Sequence, residues 1–556
     1  LVFRIHPIRL PVGFALKLAR RLLPVPLVGL PAVVALGVTW GGLMSVQYRE
    51  LMLVTLTLVI VVWSVVRWRR RRQWHGTALD FVVGLWVFAF GLSLLANLDV
   101  WRRISFGLWF SGLYILIWYI LHDWISNHDL KRSTLIDGTL TAGIAVLAVG
   151  YWQVIQWFDA GNREPLRAVV NGNLDNPNPL ATVMLTLLPL ALARLFTVRG
   201  WQTRAVFAVY SALTGGMLIL TGSRGAWIGA GVALALLAYL LFRHYRIPIN
   251  RYIVGGLGGL AIIGAVAVSL TRGWDTSGRT AIYEAAIQMF REKPVTGYGL
   301  FTFGRGLLRL VGIIPNTTTH AHAHDIFLNI VAELGSVGLA VLLATLAVLF
   351  LAARRNWIAA GERDLREDRI LIAGAVAASI GFGVHHLFDM TAMLPAVALV
   401  GLVALVVAVA PVMPLPVERP RLRSVLLGGL VFLLLPAGVW ETVTYSIYMD
   451  GITRATHGDL SGAIQQMQAA RDDDPNMPVT LANLAFLQDM QGRYEEARKS
   501  IAALCRLEPY YAATPYDASL SVLQFFRLSL LTTSRFWYAY PESPCAVRTM
   551  HVPLGR

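Results

Sequence analysis

Leu334-Gly335-Ser336-Val337-Gly338-Leu339-Ala340-Val341-Leu342-Leu343-Ala344-Thr345-Leu346-Ala347-Val348-Leu349-Phe350-Leu351-Ala352-Ala353 is a run of 20 residues without a single charge. Hydrocarbon offers no water to bond a free backbone, so such a run is stable there only when its polar groups pair internally. A helix does this, and at about 1.5 Å per residue it crosses a core about 30 Å thick. Comparable runs recur at Leu51–Val66, Ser133–Tyr151, Leu180–Phe196, Tyr252–Thr271 and Ser424–Tyr445. The whole chain of 556 residues is 56% hydrophobic and 14% charged, with mean hydropathy +0.58. A soluble domain carries about a quarter charged residues. These patterns predict an all-α polytopic membrane protein of about 12 to 13 transmembrane helices.

A formal charge of +16 invites a nucleic-acid reading, so the placement of the basic residues matters. Connections 1–22, 67–77, 123–132, 194–204, 243–251, 354–369 and 414–423 hold 26 Lys and Arg, and the alternate connections 12. That asymmetry is the positive-inside pattern. It predicts a cytoplasmic N-terminus, external loops at 153–178, 221–226 and 272–325, and an external tail. The tail from Ser446 holds 10 basic against 11 acidic residues and adds almost nothing to the excess. The basic residues orient the protein; no nucleic-acid partner is expected. The cluster Arg67, Arg69, Arg70, Arg71, Arg72 with Trp68 and Trp74 reads as a topology determinant before it reads as a site for anionic lipid. Arg4–Arg21 lacks the apolar core of a cleavable signal.

Three blocks follow: 1–150, spans with short loops; 151–446, with the large external loop 272–325; and 447–556, soluble in composition. The last block repeats itself. Gly458-Asp459-Leu460 and Gly492-Arg493-Tyr494 are 34 residues apart, as are Ala463 and Ala497, and Asp474-Pro475 and Glu508-Pro509. A small residue in each helix and a closing proline at this period resemble the tetratricopeptide repeat, here with two units. It reads equally as a helical cap and as a docking surface for a protein partner. Ala463 and Ala497 are expected at helix contacts, and Gln488 is expected to tolerate truncation. The chain's two cysteines, Cys505 and Cys545, both fall in this block; two cysteines permit a disulfide without establishing one.

Four constellations gather on the external side. Asn171-Gly172-Asn173-Leu174-Asp175-Asn176-Pro177-Asn178-Pro179 reads as a turn and helix start. Thr221-Gly222-Ser223-Arg224-Gly225 places an arginine between glycines at a membrane boundary, where phosphate binding and snorkelling weigh equally. In Thr276-Ser277-Gly278-Arg279-Thr280, Ser277 is an expected N-cap and Arg279 falls in the first turn, the end that attracts anions. Glycine-rich Gly297-Tyr298-Gly299-Leu300 and Gly304-Arg305-Gly306 follow. His320-Ala321-His322-Ala323-His324-Asp325 suggests a metal, but on a helix alternate residues face apart. A histidine beside a carboxylate at the membrane surface suits proton transfer.

Together these motifs resemble the O-antigen ligase and polymerase superfamily over roughly residues 150–410. Thr221-Gly222-Ser223-Arg224-Gly225-Ala226-Trp227 looks like its span-flanking Ser-Arg-Gly element. Gly278-Arg279 and Pro294-Val295-Thr296-Gly297-Tyr298-Gly299 resemble the start of its large external loop. His322-Ala323-His324-Asp325 and Glu333-Leu334-Gly335-Ser336-Val337-Gly338 resemble its histidine motif. Asn176-Pro177-Asn178 matches its Asn-Pro-Asn loop, and His386 and Asp389, before Pro395, resemble a later element. The chain departs from the family at Asp325, usually Asn, Ser or Gln, and after Gly338, where many ligases carry a basic pair.

The resemblance implies a metal-independent, inverting glycosyltransferase of the bacterial inner membrane, without a cofactor. Its donor would be a glycan on undecaprenyl diphosphate, its acceptor a lipid, polysaccharide or protein. By motif position His324 would be the general base, and Arg224 and Arg279 would hold the diphosphate. Polysaccharide polymerase and protein O-oligosaccharyltransferase share this donor chemistry. Outside the enzyme class stand a polysaccharide transporter, which should show internal repeats, broken spans and mid-membrane charges, and a membrane scaffold, in which Arg224, Arg279 and His324 would be replaceable.

Overall fold

The computed structural model describes residues 46–70, 74–161, 164–174, 176–247, 279–310, 322–414, 417 and 420–507. The run Tyr252–Thr271, the proposed cap Ser277, and Asp175, His320 and Cys545 lie outside them. Every regular element described is a helix, and among the described residues eight helices are long and apolar enough to cross a membrane. Two shorter apolar helices accompany them, Asp80–Ala96 (α2) and Pro395–Val409 (α13). The described residues form two compact units. One comes from Leu1–Phe81, Tyr114–Gly273 and Thr345–Gly428, the other from Val82–Leu113, Trp274–Ala344 and Gly429–Arg556.

The first unit contains α1 (Val46–Arg70), α4 (Arg132–Asp159), the short α5 (Leu166–Val169), α6 (Pro177–Thr197), α7 (Trp201–Leu220), α8 (Arg224–His244), α12 (Arg366–His385) and α13. Within it, α12 packs on α6, α8 and α13. Lipid is as apolar as leucine, so helices in a membrane associate by close backbone approach at small residues. At the α8–α12 crossing a Cβ added to Gly229 would lie 2.6 Å from the Gly381 carbonyl oxygen. Helix α6 is buried almost throughout. Its Thr182 and Thr186 donate to the carbonyls of Asn178 and Thr182, at 2.8 and 2.7 Å.

The connections counted as cytoplasmic touch one another. Arg67 pairs with Asp123, Arg132 with Asp368 at 3.6 Å, Arg194 with Glu367 at 3.5 Å, and Arg423 with Asp80. Arg132 also donates to the carbonyls of Val407 and Ala410, capping the end of α13. Arg67 is therefore a buried structural cation, its guanidinium 3.2 Å from the centre of the Trp74 ring, and not a headgroup ligand.

The second unit contains most of α2, the start of α3 (Trp101–Ser126), α9 (Arg279–Glu292), α10 (Phe303–Leu310), the first half of α11 (Ile326–Glu362), the end of α14 (Pro420–Thr456), and α15 (Leu460–Asp473), α16 (Pro478–Met490) and α17 (Tyr494–Leu507). Helix α14 runs unbroken through residue 446. Its Tyr448, Ile452 and Ala455 pack with Ala463, Met467 and Ala470 of α15 and Leu484 and Leu487 of α16. The last membrane helix is thus also the first helix of the repeat. Gly458 and Gly492 turn the chain with φ of 85° and 73°, and Ala463 and Ala497 are fully buried, so the 34-residue period is structural. Gln488, expected to be dispensable, is buried, and it accepts from the Ser500 hydroxyl at 2.8 Å. The reason is packing on both sides of α16, which leaves it no free face. Cys505 is buried.

Candidate functional site

In the first unit three of the sequence motifs meet. Gln153 of α4 clasps the asparagine loop: its amide donates to Asn171 Oδ1 at 3.0 Å and Asn173 Oδ1 at 3.1 Å, and its carbonyl accepts from Asn171 N and Gly172 N. Asn176 then caps α6, accepting from Asn178 N at 2.9 Å. Asn178 reaches further, with Nδ2 donating to Asp389 Oδ2 at 2.6 Å and Oδ1 accepting from Arg167 at 3.3 Å. Nearby, Thr182 and Thr391 share a hydroxyl hydrogen bond of 2.8 Å.

The Thr221–Gly225 turn joins this group. Gly222 adopts φ 64°, and a Cβ there would come within 3.6 Å of the Arg167 side chain. One at Gly225 would lie 2.7 Å from Phe388 Cβ and 3.1 Å from His385 Nδ1. Arg224 is the first residue of α8, where backbone N–H groups lack intrahelical partners. His386 is occupied structurally. Its Nε2 accepts from Ala392 N at 3.0 Å, which leaves Nδ1 to donate to the Phe382 carbonyl at 2.7 Å. Sequence reasoning passed over Arg167, which stands in no motif, and placed Asn178 in its loop without the link to Asp389, which spans 211 residues.

In the second unit the Pro294–Gly299 and Glu333–Gly338 motifs interlock. Tyr298 N donates to Ala332 O at 3.0 Å, Gly299 N to Glu333 O at 2.9 Å, and Ser336 N to Pro294 O at 2.8 Å. A Cβ on Gly297 would sit 2.2 Å from the Glu333 carbonyl carbon, and one on Gly335 2.4 Å from that of Val295. Gly335 breaks α11 in its third turn, with φ 63° and ψ −158°, a conformation open to glycine and closed to other residues. Asn97 ties the crossing to α2, donating to Gly297 O at 3.1 Å and accepting from Lys293 Nζ at 2.6 Å. Beside it, the Tyr298 hydroxyl and the Arg309 guanidinium hold the Glu292 carboxyl down at about 2. Burial, then the bond to Glu292, pushes Tyr298 up to about 12.

Arg279 opens α9, in the first turn as expected. His324 precedes α11 with φ 56°, in the left-handed region. Segment 322–325 is not helical, so the alternation that would separate its histidines on a helix does not apply, and the His322 and His324 rings lie 4.5 Å apart. Asp325 caps α11, its Oδ1 accepting from Leu328 N at 2.8 Å. That explains the departure at this position, because Asp, Asn and Ser are all good N-caps. One buried cluster joins Ile282, Ala286 and Met289 of α9, Phe303 of α10, Ala323 and Ala332. It thereby anchors the segments that carry Arg279 and His324.

The class these features define is an all-helical, multi-pass membrane protein with a helical repeat continuing its last span. Residues 209–343 match the family described as O-Antigen ligase, and residues 455–509 one described as Tetratricopeptide repeat. No curated protein matches the chain. Arg224, Arg279 and His324 all fall in the segment similar to the O-Antigen ligase family.

Proposed function

We propose that the protein transfers a glycan from undecaprenyl diphosphate to an acceptor hydroxyl at the outer face of a bacterial inner membrane, inverting the anomeric centre without a metal. The observation that carries this reading is positional. Arg224 and Arg279 each begin a helix and His324 directly precedes the cap of a third. Helix N-termini and guanidinium forks both favour the oxygens of a diphosphate.

His324 takes the proton of the acceptor hydroxyl as its oxygen attacks the anomeric carbon. The bond from that carbon to the diphosphate oxygen breaks, and undecaprenyl diphosphate leaves with the bonding pair. Arg224 and Arg279 neutralise the leaving charge, an effect worth about 3 kcal/mol in a site that excludes water. General base catalysis adds roughly 10²–10⁴-fold. Arg167, beside the same turn as Arg224, is a third cation for the donor. The break at Gly335 does not favour a transporter: it lies near the start of α11 and is filled by the backbone of 294–297.

The test is transfer from purified undecaprenyl-diphosphate glycan in nanodiscs. His324→Ala should abolish transfer and leave donor binding. Arg224→Lys and Arg279→Lys, which keep the charge but lose the fork, should weaken both. Activity should persist in a strong chelator. Full transfer by His324→Ala would discard the base, and loss in chelator reversed by one divalent cation would overturn metal independence.

A further inference from the structure

Asp325, Asn329 and Glu333 recur every four residues, which stacks them on one face of the first turns of α11. Asp325 caps the helix. Asn329 and Glu333 are each only 3% exposed. The Asn329 Oδ1 accepts from Ala323 N at 3.0 Å, the amide next to His324. The Glu333 carboxyl accepts from Phe303 N at 3.0 Å, and Phe303 packs in the same buried cluster as Ala323.

A buried carboxylate is costly unless hydrogen bonds replace its water. Here the Phe303 N–H supplies such a bond. At the other end of the relay, a left-handed conformation at a residue with a Cβ is strained and persists where the surroundings hold it. Two bonds hold His324: Ala323 N to Asn329, and His324 N to His322 Nδ1 at 3.2 Å.

We propose that Asn329 and Glu333 are positioning residues for His324. Asn329 fixes the peptide that sets the His324 backbone, and Glu333 fixes Phe303, which packs with Ala323 in one buried cluster. The proposal rests on the reading of His324 as the base.

The experiment uses the full chain in nanodiscs, with Asn329→Ala and the nearly isosteric Glu333→Gln. Hydrogen–deuterium exchange reads the geometry without any substrate. Asn329→Ala should speed exchange in 322–328 while 279–292 keeps its rate, and Glu333→Gln should speed both 322–328 and 299–306. In the transfer assay, kcat should fall at least about tenfold while KM for the lipid-linked donor moves less than about threefold, the pattern of a group that acts on turnover rather than on donor binding. In a His324→Ala background, Asn329→Ala should change nothing further. Wild-type exchange at 322–328, or an unchanged kcat in both variants while His324→Ala is dead, overturns this inference and spares the base. A fully active His324→Ala overturns the base itself. Faster exchange across α9 and α11 alike, with loss of the monodisperse protein, would assign the pair to the fold and also overturn the proposal.

Discussion

At the scale of single residues, the crossing of the Pro294–Gly299 and Glu333–Gly338 motifs is the most sharply constrained feature. At Gly297 and Gly335 the atoms that an added Cβ would strike are backbone, at 2.2 and 2.4 Å, and backbone cannot swing aside as a side chain can. Gly297→Ala and Gly335→Ala should each cost about 3 kcal/mol or more, since steric and conformational penalties add. Gly383→Ala, where the same atom meets nothing within 4 Å, should be neutral or stabilising by roughly 0.5–1 kcal/mol. Thermal unfolding in detergent separates the cases, and equal melting temperatures would refute the interlock. The Glu292 carboxyl supplies a pH prediction. Its value is depressed from 4.5 to about 2, so its stabilising contribution is complete above pH 4.5 and is lost only as pH falls toward 2. Exchange in 293–310 should therefore be the same at pH 7 and pH 5.5 once corrected for intrinsic rates, and should speed up as pH falls below 4.5, a dependence that Tyr298→Phe should blunt.

At the scale of elements, α14 joins membrane and repeat. Arg102 of α3 adds a second tie, bonding Asp474 at 2.8 Å and Glu441 at 2.6 Å, with Asp474 almost fully buried. Removing one partner of a buried pair strands the other charge, so Arg102→Ala should cost about 3–5 kcal/mol. The loss should appear as faster exchange around Asp474, at the end of α15 and the start of α16. Ala463→Phe and Ala497→Phe should loosen the same helices by overpacking. Gln488→Ala should also destabilise, by about 1–3 kcal/mol, because it leaves the Ser500 hydroxyl without its acceptor. Unchanged exchange in Gln488→Ala would mean that the hydroxyl finds another partner. The period was legible in sequence because small residues and turn glycines mark it. The burial of Gln488 was not, because a polar residue on a helix sandwiched between two others looks the same in sequence as one facing water.

At the scale of the whole molecule, the orientation is open to direct test. The basic connections predict the 363–365 turn inside and the repeat outside. An impermeant maleimide should label Lys499→Cys in cells with a permeabilised outer membrane. It should label Arg363→Cys only after the inner membrane is lysed. The reverse result would invert the topology and place His324 on the wrong side for the proposed reaction.

Sequence alone determined the membrane class, the alternation of basic connections, the repeat and the motif residues Arg224, Arg279 and His324. Each of these is a local property: hydropathy over a window, charge per loop, or a short spacing that one stretch of chain carries by itself. Only the tertiary structure decided that Asn178 bonds Asp389, that Arg167 lies against the Gly222 turn, that Gly297 and Gly335 lock two motifs together, and that Asn329 accepts from the Ala323 amide. Those contacts depend on which backbone segments pass within a few ångströms of one another, most of them brought together from far apart in the chain. No local pattern records such an approach until the helices have packed.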